Sequence, residues 1–511
     1  MTDNRPRVHA NLLVLYLSLG GLAFAVLQSL VAPALSTIAR DLEVSSSDGS
    51  WVITAYLLSA SVLTPILGRL GDMAGKRRVL IGVLVLLAAG TLGAALAPNL
   101  ALLIAARVFQ GAGGAILPLS IGIVRDELPR ERVGVVIGLL SAIFGIGAGV
   151  GIVAAGPIVE HLSWHWLFWL PLALVAIALL GAIFGMPESP VRTPGRLDLA
   201  GTALLSISLV ALLLAVSRGQ SWGWGAGSTI GLLVLGAVAM VVFVLVELRV
   251  AEPLIDMRLM RIRAVWATDL VALILGFAMF GTFLLVPTLL QLPALTGYGF
   301  GKSVSQSGLF LLPTVIMMVF TGPVAGILSR RFGPKLPMFL GAVLVVAAFA
   351  LPTVAHGEIW QILASGLLTG SGIGFAFAAM SNAIIEAVPV TQTGEATSVN
   401  TIARTIGSSI GTAVVAAVIT SNTTAQGLPT DDAFTYGFGA CAGVAVLAVI
   451  AALLLPSAHR RHEQAIADGV EDLPPEPAEI HLPHPGHAAE PHAGNGTHAP
   501  HLQHAADKPR G

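Results

Sequence analysis

Charge is what this sequence lacks most. Of its 511 residues only 11% are Asp, Glu, Lys or Arg, while 55% are hydrophobic and the mean hydropathy is +0.84. A soluble globular chain carries about 25% charged residues. A water-covered surface is therefore excluded for most of this chain, and lipid is its expected surroundings. Cysteine is scarce as well. Cys441 stands alone in an apolar run, so an internal disulfide is excluded and a small packing residue remains. A net charge of −1 and a pI near 6.9 offer no basic surface to nucleic acid. No G-x-x-x-x-G-K-[ST] loop is present, which argues against ATP hydrolysis as an energy source. The apolar runs hold no H-E-x-x-H pattern and no cluster of His and Asp ligands, so neither a resident metal nor an enzyme's active site is expected.

What the chain has in abundance is long apolar runs, each of 18 or more residues and almost uncharged, which is the length that crosses a bilayer as a helix. The pattern predicts fourteen helices, at 11–37, 50–70, 79–97, 101–124, 133–158, 164–186, 198–217, 227–248, 266–290, 304–328, 336–355, 359–386, 395–420 and 434–455. The run after Arg5 and Arg7 is too long for the core of a signal peptide and reads as a retained first helix. Lys and Arg collect in cytoplasmic loops. With the N-terminus inside, the inner segments hold Arg5 and Arg7, Arg69 to Arg78, Arg125 to Arg132, Arg192 and Arg196, Arg249 to Arg263, Arg330 to Lys335, and Arg460 and Arg461. The outer loops hold Arg40, Arg218 and Lys302. This alternation predicts a multi-pass protein of the cell membrane with both termini in the cytoplasm.

The fold class expected is all-α and polytopic. Residues 1–10 form a short cytoplasmic lead, 11–186 a six-helix bundle, 187–265 two linking helices with a loop, and 266–456 a second six-helix bundle. Residues 457–511 change character: rich in Pro, His, Ala and acids and without periodicity, they read as a disordered cytoplasmic tail. The histidines there, among them His459, His481 and His504, follow no structural zinc spacing.

An internal repeat supports two halves. GRLGDMAGKR (68–77) aligns with GILSRRFGPK (326–335), matching Gly68 to Gly326, Leu70 to Leu328 and Gly75 to Gly333. Each copy opens a short basic loop, after the second and the tenth predicted helix. Repeated halves mark transporters whose substrate site lies between them.

The residues of these stretches resemble the major facilitator superfamily. GRLGDMAGKRR is similar to its helix 2–3 loop signature, and RVFQGAGGA (107–115) to its helix 4 signature. SWHWLFW (163–169) and GEATSVNTIARTIGSSIGTAV (394–414) are similar to the fourteen-span drug:proton antiporter branch. The resemblance covers about 12–456. It implies a secondary transporter that exports small amphipathic organic compounds, including drugs and antibiotics, in exchange for protons. It implies no cofactor, the proton gradient supplying the energy, and a monomer in the bilayer. Export of one native metabolite or lipid, or uptake, is the alternative that fold does not exclude, and an intramembrane enzyme or receptor is a remote one.

Physical chemistry gives each motif a role. Gly68, Asp72, Gly75, Lys76 and Arg77 form the loop signature. Gly75 permits the backbone reversal, and the bases fix which side is inside. Asp72 is not needed for topology. It can pair with the bases across the turn or face a helix N-terminus in the other half, and by resemblance it latches the cytoplasmic gate. Arg107, with Gln110 nearby, sits about two turns inside its helix, where a charge costs about 3 kcal/mol and requires a partner or water. By resemblance it takes part in proton coupling. Gly145/Gly149 and Gly147/Gly151, with Gly156, suit close helix approach. The branch's Gly-Pro would fall at Gly151-Ile152, so the proline is missing, and Pro157 follows five positions later. No carboxylate stands in the first helix, where Gln28 is the polar residue. Asp269, Glu386 with Arg404 as a possible partner, and Asp72 remain as carriers of the proton, Arg107 being paired with Asp269 or Asp72; none is singled out. Gln28, Tyr56, Gln110, Met279, Phe280, Gln291 and Asn382 are expected to line an apolar substrate cavity with a few polar points.

Overall fold

The computed structural model describes residues 10–189, 195, 197–250, 252–389, 392–424 and 428–456. The expected tail, the first nine residues and the bases Arg5, Arg7, Arg192, Arg196, Arg460 and Arg461 lie outside the described residues.

Fourteen helices are long and apolar enough to cross a membrane. They are α1 (Ala10–Leu35), α2 (Trp51–Ala74), α3 (Lys76–Ala95), α4 (Leu100–Glu127), α5 (Glu131–His161), α6 (Trp166–Gly185), α7 (Leu199–Gly219), α8 (Gly227–Glu247), α9 (Arg263–Gln291), α10 (Ser305–Phe332), α11 (Lys335–Val354), α12 (Ile359–Ala387), α13 (Thr393–Ser421) and α14 (Asp431–Leu454). Their ends fall where the sequence supplies caps: Asn99 and Thr430 each accept a backbone N–H of the helix they precede. Between helices α2 and α3 the chain turns at Gly75 (φ 112°), and between α10 and α11 at Gly333 (φ 79°). Both angles lie in the region that only glycine enters cheaply.

The hydropathy pattern did not foresee two interruptions. In α1 the helix breaks at Leu30, three residues before Pro33, as expected where proline cannot continue the ladder. In α4 the glycines of Gly111–Ala115 tighten to a 3-10 turn. There a Cβ on Gly111 would strike Ser59 and Ala60 of α2, and one on Gly113 would strike Phe24 of α1. The sequence trades helix regularity for close approach.

Buried side chains form one core across α1–α6 and a second across α9–α14. These are two six-helix bundles. The extra pair, α7 and α8, pack on each other and on the seam between the bundles. Ser217 of α7 lies 3.2 Å from Thr54 of α2, and Leu205, Leu209 and Phe243 pack with Ile402 of α13. The far side of α8 is bare, with Val234, Val238 and Val241 more than half exposed. Such an apolar surface is what lipid would cover. The loops that follow even-numbered helices collect the bases; that end of the molecule is called the basic face below.

Helix α5 is the main bridge between bundles, and its glycines divide their work. Gly145, Gly149 and Gly156 face α10, where Met318, Val315 and Ser305 leave no room for a Cβ. Gly147 and Gly151 face α1, against Ala25 and Ser29. One helix thus meets two partners at backbone distance.

Candidate functional site: a cavity between the bundles

A cavity opens at the seam, with about 590 Å³ not filled by atoms, part of it open to solvent. Phe24 and Gln28 of α1, Leu57 and Ala60 of α2, Phe144 of α5, Met279 and Phe280 of α9, Phe377 of α12, and Thr401, Arg404, Thr405 and Ser408 of α13 line it. Toward the basic face a smaller space follows, lined by Ser141, Ser381, Asn400 and again Arg404. Of the residues expected here, Gln28, Met279 and Phe280 lie on the wall. Tyr56 and Gln110 do not, because both are buried around Arg107. Gln291 is exposed at the end of α9, where the helix has left the packed interior. Asn382 is buried near Gly134 at the α5–α12 contact, with its amide nitrogen unpaired, and stands apart from both spaces.

Arg107 is held by oxygens that carry no charge. Its Nε donates to Val52 O (3.1 Å), and Nη1 donates to Leu27 O (3.0 Å) and Gln110 Oε1 (2.7 Å). The guanidinium lies 4.0 Å from the centre of the Tyr56 ring. A cation–π contact in a dry site adds up to about 2 kcal/mol. The expected partners are elsewhere. Val52 and Asp72 are 20 residues apart on one helix, which is about 30 Å, and Asp269 belongs to the other bundle. Arg107 therefore braces α1, α2 and α4, and no carboxylate is bonded to it.

Arg404 lies near the middle of α13, 4.9 Å from the centre of the Phe377 ring. Glu386, the partner considered from sequence, is exposed at the far end of α12, nine residues or about 13 Å beyond Phe377. Asp269 of α9 accepts a hydrogen bond from Asn400 Nδ2 (3.0 Å), and its Oδ2 is buried without a donor. Since Asn400 lines the smaller space, Asp269 stands one side chain behind the cavity wall.

Between cavity and basic face the bundles are bolted together. Ser398 Oγ lies 3.4 Å from Thr64 O, and Gly68 packs on that serine. Below it, Asp72 Oδ2 accepts the backbone N–H of Glu395 (3.3 Å) in the first turn of α13. That helix end carries a partial positive charge that favours an acid. Asp72 Oδ1 is 3.6 Å from Lys76 Nζ, which also reaches Asp126 Oδ2 at 2.8 Å. So Asp72 does both things its position allowed. Arg77 takes no part: it donates to Ala182 O and Ile183 O at the end of α6.

Three residues in this cluster escaped the sequence reading. Arg125 donates to Val388 O (3.0 Å) and Thr393 Oγ1 (2.5 Å), closing the end of α12 onto the start of α13. Arg69 is 3.7 Å from Glu395 Oε2. Glu395 is 2% exposed and also accepts the N–H of Asp256 from the α8–α9 loop. An acid in the first turn of a helix is so common that it gave no signal.

An all-α membrane chain of two six-helix bundles with a cavity between them is the architecture of a membrane carrier, and the comparisons name its class. The family model described as the Major Facilitator Superfamily matches residues 17–412 and again 270–484. The chain belongs to the major facilitator superfamily. It is 31% identical over 402 residues to an uncharacterised MFS-type transporter of Mycobacterium tuberculosis, a match covering 78% of this chain and 58% of the relative, so the chain spans well under two thirds of that protein. The multidrug transporter protein MdtP of Bacillus subtilis is 29% identical over 72% of this chain and 68% of its own. The tetracenomycin C resistance and export protein of Streptomyces glaucescens is 28% identical over 75% and 71%. Among solved structures, the proton:xylose symporter XylE shares the fold with a TM-score of 0.61 at 13% identity, covering 88% of this chain and 96% of that one.

Proposed function

We propose that the chain is a secondary exporter of small amphipathic organic compounds, driven by the proton gradient and working by alternating access as a single chain in the cell membrane. The observation that carries this reading is the seam itself. A mostly apolar cavity lies between the bundles while the polar ties of Asp72, Arg69 and Arg125 join them toward the basic face. Breaking those ties and closing the other side would expose the same cavity to the opposite compartment. The excess of Lys and Arg on the basic face supports placing that face in the cytoplasm, and the printed names of the Bacillus and Streptomyces relatives support export. Energy from ions rather than a cofactor fits a chain with no phosphate loop.

Asp269 is the proposed proton carrier. It is six residues inside α9, about 9 Å along the axis, deeper than Asp72 or Glu395 in their helices, and one of its oxygens lacks a partner. An acid so placed faces a strong penalty when charged. Proteoliposomes with an imposed pH gradient test this. The wild type should accumulate a dye such as Hoechst 33342 or another member of a compound panel. Asp269→Asn should lose gradient-driven transport while keeping downhill exchange. Uphill transport by that variant removes Asp269 from the coupling step, and gradient-insensitive transport by the wild type removes proton coupling altogether.

A further inference from the structure

The cavity's charge is one-sided. Among the described residues that line it, Arg404 carries a formal charge and none is acidic. Among the described residues its guanidinium makes no hydrogen bond and no ion pair. Its one contact of note is the face of Phe377, 4.9 Å away, so its N–H donors point at open space rather than at a partner. In a wall this apolar, a bare guanidinium is a demand for an acceptor.

The neighbouring groups do not meet that demand: none of Thr401, Thr405 and Ser408 is within hydrogen-bond geometry of the guanidinium N–H groups, and each gives its hydroxyl proton to a carbonyl of its own helix, at 3.0, 2.9 and 2.8 Å. Thr64 does the same toward Ala60 O at 2.6 Å. The acids along the seam are engaged toward the basic face: Asp72 with Lys76 and the α13 N-terminus, Glu395 with Arg69, Asp269 with Asn400. Arg107 adds a second cation to the first bundle, also held by neutral groups alone. The charged side chain on the cavity wall is therefore a cation, and across the cavity from Arg404 the half-buried Gln28 offers a second side-chain donor.

We infer that the cavity takes an organic anion, a carboxylate or sulfonate on an apolar body, whose charged end binds Arg404 and whose body lies among Phe24, Phe144, Met279 and Phe280. This rests on the exporter reading for its physiological meaning, but not for its test. A carboxylate matches the fork of a guanidinium with two parallel charge-assisted bonds. An ammonium would meet like charge at the wall, the nearest acid, Asp269, standing behind Asn400. Discrimination comes as much from that repulsion as from the attraction.

Equilibrium binding of three fluorescent probes to the purified full chain tests the inference without any gradient. Dansylglycine is anionic, dansylamide neutral and dansylcadaverine cationic, on one ring system. Dansylglycine should bind at least tenfold tighter than dansylcadaverine. Arg404→Gln should erase that ratio and leave dansylamide within about twofold, while Arg404→Lys should keep the order. The lysine variant also guards against a glutamine variant that fails to fold. Equal binding of the two charged probes by the wild type, or an unchanged ratio in Arg404→Gln, overturns the inference. The two readings fail separately. Charge preference that depends on Arg404 in a protein that pumps nothing uphill would sink proton-driven export alone. Uphill transport of dansylcadaverine, unaffected by Arg404→Gln, would sink anion selection alone.

Discussion

The two copies of the repeated loop have the same backbone and opposite chemistry. Gly68 and Gly326 each press against the other bundle, the first on Ser398 of α13 and the second on the carbonyl of Gly134 in α5. Gly75 and Gly333 each make the turn at positive φ. Yet Asp72 ends α2 where Arg330 ends α10. Asp72 accepts a backbone N–H from the first turn of α13, whereas Arg330 Nη1 donates to Glu131 O in the first turn of α5 at 2.5 Å. The acid complements a helix N-terminus; the cation reaches past the amides to a carbonyl. Asp72 is 1% exposed and tied to a network of Lys76 and Asp126, while the Arg330 contact is exposed. The two turns share a backbone conformation, and the acid that meets a helix N-terminus stands in one copy.

The sharpest way to break this asymmetry is Asp72→Asn. The substitution removes the charge that Lys76 and the α13 N-terminus both read, and leaves shape nearly unchanged. Charge-assisted bonds are roughly twice as strong as neutral ones. Transport should fall at least tenfold in vesicles with matched amounts of inserted protein. Normal transport would show that the ties by Arg69 and Arg125 suffice to hold the basic face closed.

The turns test the other side of the comparison, that the two backbones are equivalent. Alanine at Gly75 or at Gly333 forces a side chain into strained backbone, at a cost of about 1–3 kcal/mol. Each variant should lower the melting temperature of the purified protein by a similar few degrees, with Gly75→Ala alone also slowing transport because its turn aims Lys76 at Asp72. A large stability loss at one glycine and none at the other would end the equivalence.

How far the sequence could be read follows the same division between local and distant. Span number came from hydropathy, since crossing a bilayer is a constraint on consecutive residues, and the alternating bases indexed the loops. The acid in GRLGDMAGKRR stood out because topology had no use for it. Arg107 stood out because its depth demands a partner, but that partner could not be read: Val52 O and Leu27 O are backbone atoms, which every residue has. Glu395 was passed over because its meaning lies in Arg69, more than 300 positions away, and in a loop N–H from a third region. The emptiness around Arg404 was invisible for the opposite reason. A sequence displays the acids that exist, and only packing shows that none among the described residues pairs with it.

The smallest effect expected is at the second copy. Arg330→Gln removes a charge from an exposed contact to a neutral carbonyl. Exposed charged contacts contribute about 0–1 kcal/mol, and the glutamine amide can still donate toward Glu131 O. The backbone meeting of Gly326 with Gly134 and of Gly322 with Gly138 remains to hold α10 against α5. Transport should stay within about twofold of wild type and the melting temperature should barely move. A loss as deep as that of Asp72→Asn would mean that both copies latch, one through an acid and one through a base, and the asymmetry would then be one of sign and not of function.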